Sequence, residues 1–429
     1  MKHKVSELIL DNGAKGLLIH IPSASVMSFD FDFRAGEYLV SRDKWETPHI
    51  MEHLLLGANE KFARSRAFQA EFEKNGAYCN ASTSSYDISY EAECADFEWK
   101  RILDLFTLAI SKPLFLDEEF KAEVGNVREE LTARSNNHFR HLSLALRESY
   151  GFAVLTDQQR LLNMENVLLD DVKEHYHRTH TASNLRFIIA GKLPEARRNH
   201  VKKILESLNL PAGGGRTPLP AEMPRRLDRP LYIHNETVEN LYFYADTFAA
   251  KRLDDHELDA LSLINSMLTE TLYSRILGTA REHGLVYSMS SNLTHTKDST
   301  NWWFGAQVRP DNAPALFKIM VGELQRVFSG DITNKDLAAA KQYALGRHQR
   351  SGQTVGGTAA GYSGRYFFDE TIDDYYKIPA RIKAVTKQAL MSSTKRMFKD
   401  QIWGMGVLGA GDPKLVNKLH RQLKPLWDI

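Results

Sequence analysis

The chain opens with two short runs rich in apolar residues, Val5 to Leu10 and Gly16 to Pro22, separated by Asp11-Asn12-Gly13. Their length and punctuation predict strands rather than helices. From His49 to Leu56 no Gly or Pro interrupts the sequence, and the preceding Thr47 and Pro48 suit the N-cap and first turn of a helix. Between Asp117 and Arg134, the apolar residues Phe120, Val124, Val127 and Leu131 recur at i, i+4, i+7 and i+11, the period of an amphipathic helix. The segment from Tyr78 to Tyr90 alternates instead, with Tyr78, Asn80, Ser82, Ser84, Tyr86, Ile88 and Tyr90 on one phase of a two-residue period. That pattern predicts a strand.

Periodicity stops between Leu210 and Leu231, where PAGGGRTPLPAEMPRRLDRP holds five of the 14 prolines and a triple glycine. This is read as a linker, residues 211–230, joining a domain at 1–210 to another at 231–429. The flanks end alike, with LRFIIAG at 185–191 and GMGVLGAG at 404–411. EFEKNGAYCNASTSS is also echoed by TAREHGLVYSMSSN, with Gly76 matching Gly284. The expectation is an α+β fold of two homologous domains, each a mainly antiparallel sheet packed with helices.

Composition narrows the function classes. The chain has 429 residues, 25% charged and 43% hydrophobic, with a formal net charge of +1. That balance gives no electrostatic case for nucleic acid or a membrane surface. Two cysteines, Cys79 and Cys94, cannot build a disulfide framework and suit a reducing compartment. With no long apolar segment and no leader pattern at the N-terminus, a cytoplasmic location is expected.

The chemistry concentrates in His49-Ile50-Met51-Glu52-His53. On a helix, His49 and His53 at i and i+4 leave one face about 6 Å apart, close enough to grip one metal ion. Glu52 borders that face and is placed to act as a general base on water. A catalytic zinc takes three protein ligands, so one is missing. On the Asp117 to Arg134 helix, Glu123 and Glu130 share a face two turns apart, whereas Glu129 points about 100° away. Only one of the pair need reach the metal, and without the histidine pair an acidic helix reads as a solvated surface. The second copy has the helical sequence DHELDALSLINSMLTETLYSRIL in place of the histidine pair, so one copy is expected to be catalytic and the other not.

His-x-x-Glu-His is the inverted zincin motif, and the chain resembles the pitrilysin/insulinase family of zinc metallopeptidases. The likeness is to its short two-domain form, as in mitochondrial processing peptidase subunits. In that family the third zinc ligand is a glutamate 77 residues after the second histidine, which is Glu130 here. A supporting glutamate lies seven residues earlier, at Glu123. Arg34-Ala35-Gly36-Glu37, Gly57 and the stretch Gly76 to Thr83 also match, and the resemblance implies substrate contact at Asn80, Ala81 and Ser82. Arg281 to Tyr287, REHGLVY, resembles the family's arginine-tyrosine stretch that binds the substrate carbonyl, but is one residue shorter. Gly284 anchors the register of Tyr287, while His283 or Arg275 could stand in for Arg281.

The resemblance implies one Zn2+ per chain and a zinc-dependent endopeptidase acting on oligopeptides or unfolded segments within a clamshell of four homologous units. One chain supplies two units, so a homodimer is expected, or pairing with an inactive homologous subunit. The alternatives are a dedicated precursor-processing peptidase and a non-peptidase structural subunit. Two further features are set aside. His175, His177 and His180 lack a suitably spaced carboxylate for a metal site. The glycines from Gly352 to Gly364 lack the lysine and preceding strand of a phosphate loop, and read as a closely packed or flexible helix of the second copy.

Overall fold

The computed structural model describes residues Met1 to Asp428. It contains two helix-packed sheets. The strands are β1 (Lys4–Ile9), β2 (Lys15–His20), β3 (Val26–Phe33), β4 (Tyr78–Thr83), β5 (Ile88–Ala95), β6 (Arg186–Gly191), β7 (Leu231–His234), β8 (Leu241–Ala249), β9 (Met289–His295), β10 (Thr300–Val308) and β11 (Ile402–Gly409). The first sheet has the order β1-β2-β6-β3-β5-β4 and the second β7-β11-β8-β10-β9.

The two orders are one topology. In each sheet a single parallel pair, β2 with β6 and β7 with β11, adjoins an otherwise antiparallel ladder, and the first sheet adds β1. Gly76 and Gly284, matched in the sequence, have φ of +78° and +66°. Each sits shortly before the strand at the end of its sheet, β4 or β9. A side chain would strain that left-handed turn, so the same backbone need preserves glycine in both copies.

The division into units is more interleaved than the linker suggests. One unit comprises residues 1–132, 158–220 and 349–375; the other comprises 133–157, 221–348 and 376–429. The boundary near 220 falls inside the stretch read as a linker, but 133–157, within the expected 1–210 domain, groups with the second unit, and 349–375, within the expected 231–429 domain, groups with the first. The linker residues are fastened too. Ala182 and Ser183 amides donate to Pro211 and Ala212 carbonyls at 2.8 and 3.0 Å, and Arg216 pairs with the buried carboxylate of Asp32.

In the first unit, Phe29, Phe31, Phe33, Ile88, Tyr90 and Ala92 project from β3 and β5 into one core with Ile50, Met51, Val127 and Leu131. The helix bearing the two histidines, Thr47–Leu55, and the Asp117–Ser135 helix thus pack on the same side of the sheet. On the other side, Val355, Ala359, Tyr362 and Tyr366 of the Val355–Asp369 helix cover Leu17, Ile19 and Ile188. This is the glycine-rich stretch. It is a helix, as expected, but it belongs to the first unit rather than to the second copy.

The second unit has its own core around Phe243, Trp302, Phe317, Trp403 and Met405. Its helix Asp255–Asn265 passes into a π-helical turn, Ser266–Glu270. Buried Asn265 is bonded there to the Trp302 indole at 2.8 Å and to Glu270 at 2.9 Å, and the helical run ends at Glu270, where Thr271 turns extended, before Arg275.

Candidate metal centre

Helix Thr47–Leu55 places His49 and His53 on one face, with ring centroids 5.0 Å apart. The opposite partner is the Asp117–Ser135 helix, whose buried Val127 and Leu131 fix its rotation and so turn Glu123 and Glu130 towards the imidazoles, leaving Glu129 exposed. Glu119 fixes the separation. Its two carboxylate oxygens accept the backbone amides of Ala58 and Ser65 at 2.9 and 2.7 Å, tying the loop after the histidine helix to the acidic helix. Gly57 is needed there, because a Cβ would lie 2.9 Å from both Glu119 Oε2 and Leu54 O.

Glu130 Oε2 lies 3.4 Å from His49 Nε2 and 3.7 Å from His53 Nε2. One donor atom from each of these three residues falls within 4.8 Å of the others. Zinc bonds of about 2.0–2.1 Å in a tetrahedral arrangement separate neighbouring ligand atoms by about 3.3 Å. Two nitrogens and one carboxylate oxygen at these separations therefore fit a zinc ion. Of the two glutamates left open by spacing, Glu130 faces both Nε2 atoms, and Glu123 takes a different place: its Oε2 accepts His53 Nδ1 at 2.9 Å. That hydrogen bond, rather than burial, holds the Glu123 carboxyl below its usual range.

His49 has an equivalent support that the sequence reading did not single out. Glu46 Oε2 accepts His49 Nδ1 at 3.0 Å, and Arg160 grips the same carboxylate. Burial opposes the charge on Glu46, but the His49 hydrogen bond and the Arg160 guanidinium outweigh it and hold the carboxyl at about 2. Burial likewise disfavours a charged His49, yet Glu130 and Glu46 raise it to about 9. Glu46, not Thr47, is the residue preceding the helix. Thr47 makes no cap, and its buried Oγ1 has no hydrogen-bond partner among the described residues.

Glu52 is held from β4. The Thr83 hydroxyl donates to Glu52 Oε2 at 2.6 Å. Strand pleating decides what else β4 can contribute. Cys79 and Ala81 pack against the core on the histidine side, whereas Asn80 donates to Glu91 at 3.2 Å on the far face, and Ser82 lines a cavity of about 660 Å3 on that face with Ser28, Asp30 and Glu91. Of the expected substrate-contacting residues, only Ala81 has its side chain on the side of the metal ligands. Asn80 and Ser82 can meet a strand at the β4 edge through their backbone alone. That edge carries no further strand among the described residues.

Arg281 and Tyr287 lie in the second unit. Tyr287 is 83% exposed; the Arg281 guanidinium stacks 4.9 Å from its ring and donates to its carbonyl. Arg275 is committed elsewhere, pairing with Asp336 at 2.6 Å, and His283 is bonded to Thr279 O at 2.8 Å. The remaining histidine cluster disperses: His175 Nε2 meets Ala35 O at 2.7 Å, His180 Nε2 meets the Tyr90 hydroxyl at 2.9 Å, and His177 is exposed. Burial lowers both buried histidines, His175 to about 4, keeping them neutral parts of the core.

Residues 33–162 match the family described as insulinase, peptidase family M16, and residues 166–343 match the peptidase M16 inactive domain. An insulin-degrading enzyme-like 2 protein of Arabidopsis thaliana is 24% identical over 129 residues, and the insulin-degrading enzyme of Drosophila melanogaster is 26% identical over 123 residues. These stretches cover 30% and 29% of the chain but only 13% and 12% of the relatives. Among solved structures, a protease from Helicobacter pylori superposes with a TM-score of 0.85 at 19% identity, covering 95% of this chain and all of that one. The first half of the periplasmic protease PqqL from Escherichia coli gives 0.75 at 15% identity, covering 99% and 97%. At those identities the structures speak for the fold. With two matched M16 regions and a shared two-sheet fold, the chain belongs to the pitrilysin/insulinase family, peptidase family M16.

Proposed function

We propose that this chain is a zinc-dependent endopeptidase acting on extended or unfolded peptides. The observation that carries the reading is the convergence of His49, His53 and Glu130 beside a Glu52 carboxylate fixed by Thr83. A zinc ion bound here would supply Lewis acidity, polarising a peptide carbonyl and making water a stronger acid. Glu52 accepts a proton from the attacking water and delivers it to the departing amine nitrogen. Glu123 and His53 hold one another in orientation. Tyr287, with Arg281 beside it, offers a phenol and a cation to the oxyanion that develops on the substrate carbonyl.

The free β4 edge supports an extended peptide as substrate, because pairing through backbone groups is indifferent to side-chain identity. Each chain carries both the histidine-glutamate group and the Arg281-Tyr287 pair, which favours a homodimer as the working assembly. The unpaired Cys79 and Cys94 suit a reducing compartment such as the cytoplasm. Among the described residues, no helix is long and apolar enough to cross a membrane. A purely structural subunit has no need of the full set of ligands and base.

The test is metal analysis of the purified protein with a peptide-cleavage assay before and after chelation. About one zinc per chain and loss of cleavage on chelation are expected. Zinc far below one per chain, with cleavage untouched by the chelator, would remove the reading.

A further inference from the structure

The sequence places Glu46 three residues before His49, outside the histidine-glutamate motif. In the fold its side chain is fully buried. One oxygen, Oε2, meets His49 Nδ1 at 3.0 Å and Arg160 Nη2 at 3.0 Å, while Oε1 takes Arg160 Nε. Arg160 is itself buried and its Nη2 also lies 3.0 Å from Glu37 Oε1. A guanidinium is thus clamped between two carboxylates, one of which is directed at an imidazole.

Such an arrangement is a poor way to stabilise a core. Removing three charges from water is costly, and apolar residues of similar size commonly serve stability equally well. What the charges do achieve is orientation. A carboxylate on Nδ1 of an imidazole sets the proton there, leaves the Nε2 lone pair outward and makes it more basic. Glu123 meets His53 in the same way, at 2.9 Å, and both Nε2 atoms face Glu130. His53 draws its support from the helix that supplies Glu130, whereas His49 draws its own from the residue preceding its helix, steadied by a guanidinium 114 positions away in sequence.

We propose that Glu46, held by Arg160, is a positioning residue for His49: it fixes the ring's tautomer and direction and thereby the strength with which the chain holds its metal. The inference rests on the metal reading given above and adds a residue to it.

The experiment measures zinc affinity by competition with a chromophoric chelator at one pH, and the denaturation midpoint of the metal-free protein, for wild type, Glu46→Gln and Glu123→Gln. Both substitutions should weaken zinc binding by about 10–100-fold. A merely structural Glu46 would lower the midpoint of Glu46→Gln and leave its zinc affinity within twofold of wild type, and that result would overturn the proposal. Where Glu46→Gln fails to fold, Glu46→Gln/Arg160→Gln/Glu37→Gln removes all three buried charges together and is held to the same criterion. Wild type that binds no zinc would remove the metal reading itself, whereas tight wild-type binding shared by the Glu46 variants would remove only the role of Glu46.

Discussion

The Thr83 hydroxyl donates to Glu52 Oε2 at 2.6 Å, so the last residue of the free edge strand β4 also orients the proposed base. Strand and base are thereby placed by one contact. Thr83→Val should leave zinc content unchanged and lower kcat by about 10-fold, because the carboxylate loses its orientation but not its basicity. Thr83→Ser should restore most of the rate. Equal kcat in wild type and Thr83→Val would show that Glu52 is oriented by something else.

Zinc affinity should depend on pH through His49. Glu130 and Glu46 overcome the effect of burial and raise this imidazole from 6.5 to about 9 in the metal-free protein. Because the folded value lies above the unfolded one, its contribution to stability is complete below about 6.5 and is lost as pH rises through about 9. A metal must displace that proton. Apparent zinc affinity should therefore climb about tenfold per pH unit below about 9 from this proton alone. A profile flat from pH 7 to 8.5 in a competition titration would contradict the carboxylate-supported imidazole.

Several of these relationships were legible in the sequence for a physical reason: they are local. The i, i+4 histidines, the seven-residue interval between Glu123 and Glu130 and the apolar stripe ending at Val127 and Leu131 all follow from helical geometry, and Gly76 and Gly284 follow from a backbone turn. Choosing Glu130 over Glu123 needed the rotation of one helix against another, which spacing leaves open and the family likeness supplied. The pairing of Glu46 with Arg160 spans 114 residues and leaves no periodic trace. Neither does the grouping of 133–157 and 349–375, since tertiary packing, not local propensity, decides which sheet a helix covers. The facing of Asn80 and Ser82 was legible in principle. They alternate with Ala81, so all three side chains cannot share one face of a pleated strand.

Backbone pairing along β4 carries its own prediction. Peptides with N-methylated amides at alternate positions should lose about tenfold or more in kcat/KM relative to unmodified peptides, because each methyl removes a donor from the added ladder. Compact folded proteins should resist cleavage. Unaltered turnover of the methylated series, measured by chromatography of the products, would exclude strand addition as the binding mode.

Assembly across two chains is testable by complementation. If Tyr287 of one chain serves the metal centre of the other, Tyr287→Phe and Glu52→Gln homodimers should both be impaired. Mixing with subunit exchange creates one intact site per mixed dimer, which should restore activity towards about a quarter of wild type when half of the dimers are mixed. Activity that stays at the sum of the two variants, with exchange verified by mass, would mean that Tyr287 acts within its own chain or not at all.

The central claim is peptide hydrolysis by a metal centre in which Glu52 moves the proton and Glu130 holds the metal. Its most direct measurement is a mass-spectrometric cleavage map of a peptide mixture, with metal content determined on the same samples, for wild type, Glu52→Gln and Glu130→Gln. Wild type should cut internal bonds with about one zinc per chain; Glu52→Gln should keep the zinc and lose at least about 100-fold in turnover; Glu130→Gln should lose the zinc itself. No internal cleavage by zinc-loaded wild type, or near-normal turnover in Glu52→Gln, would contradict it.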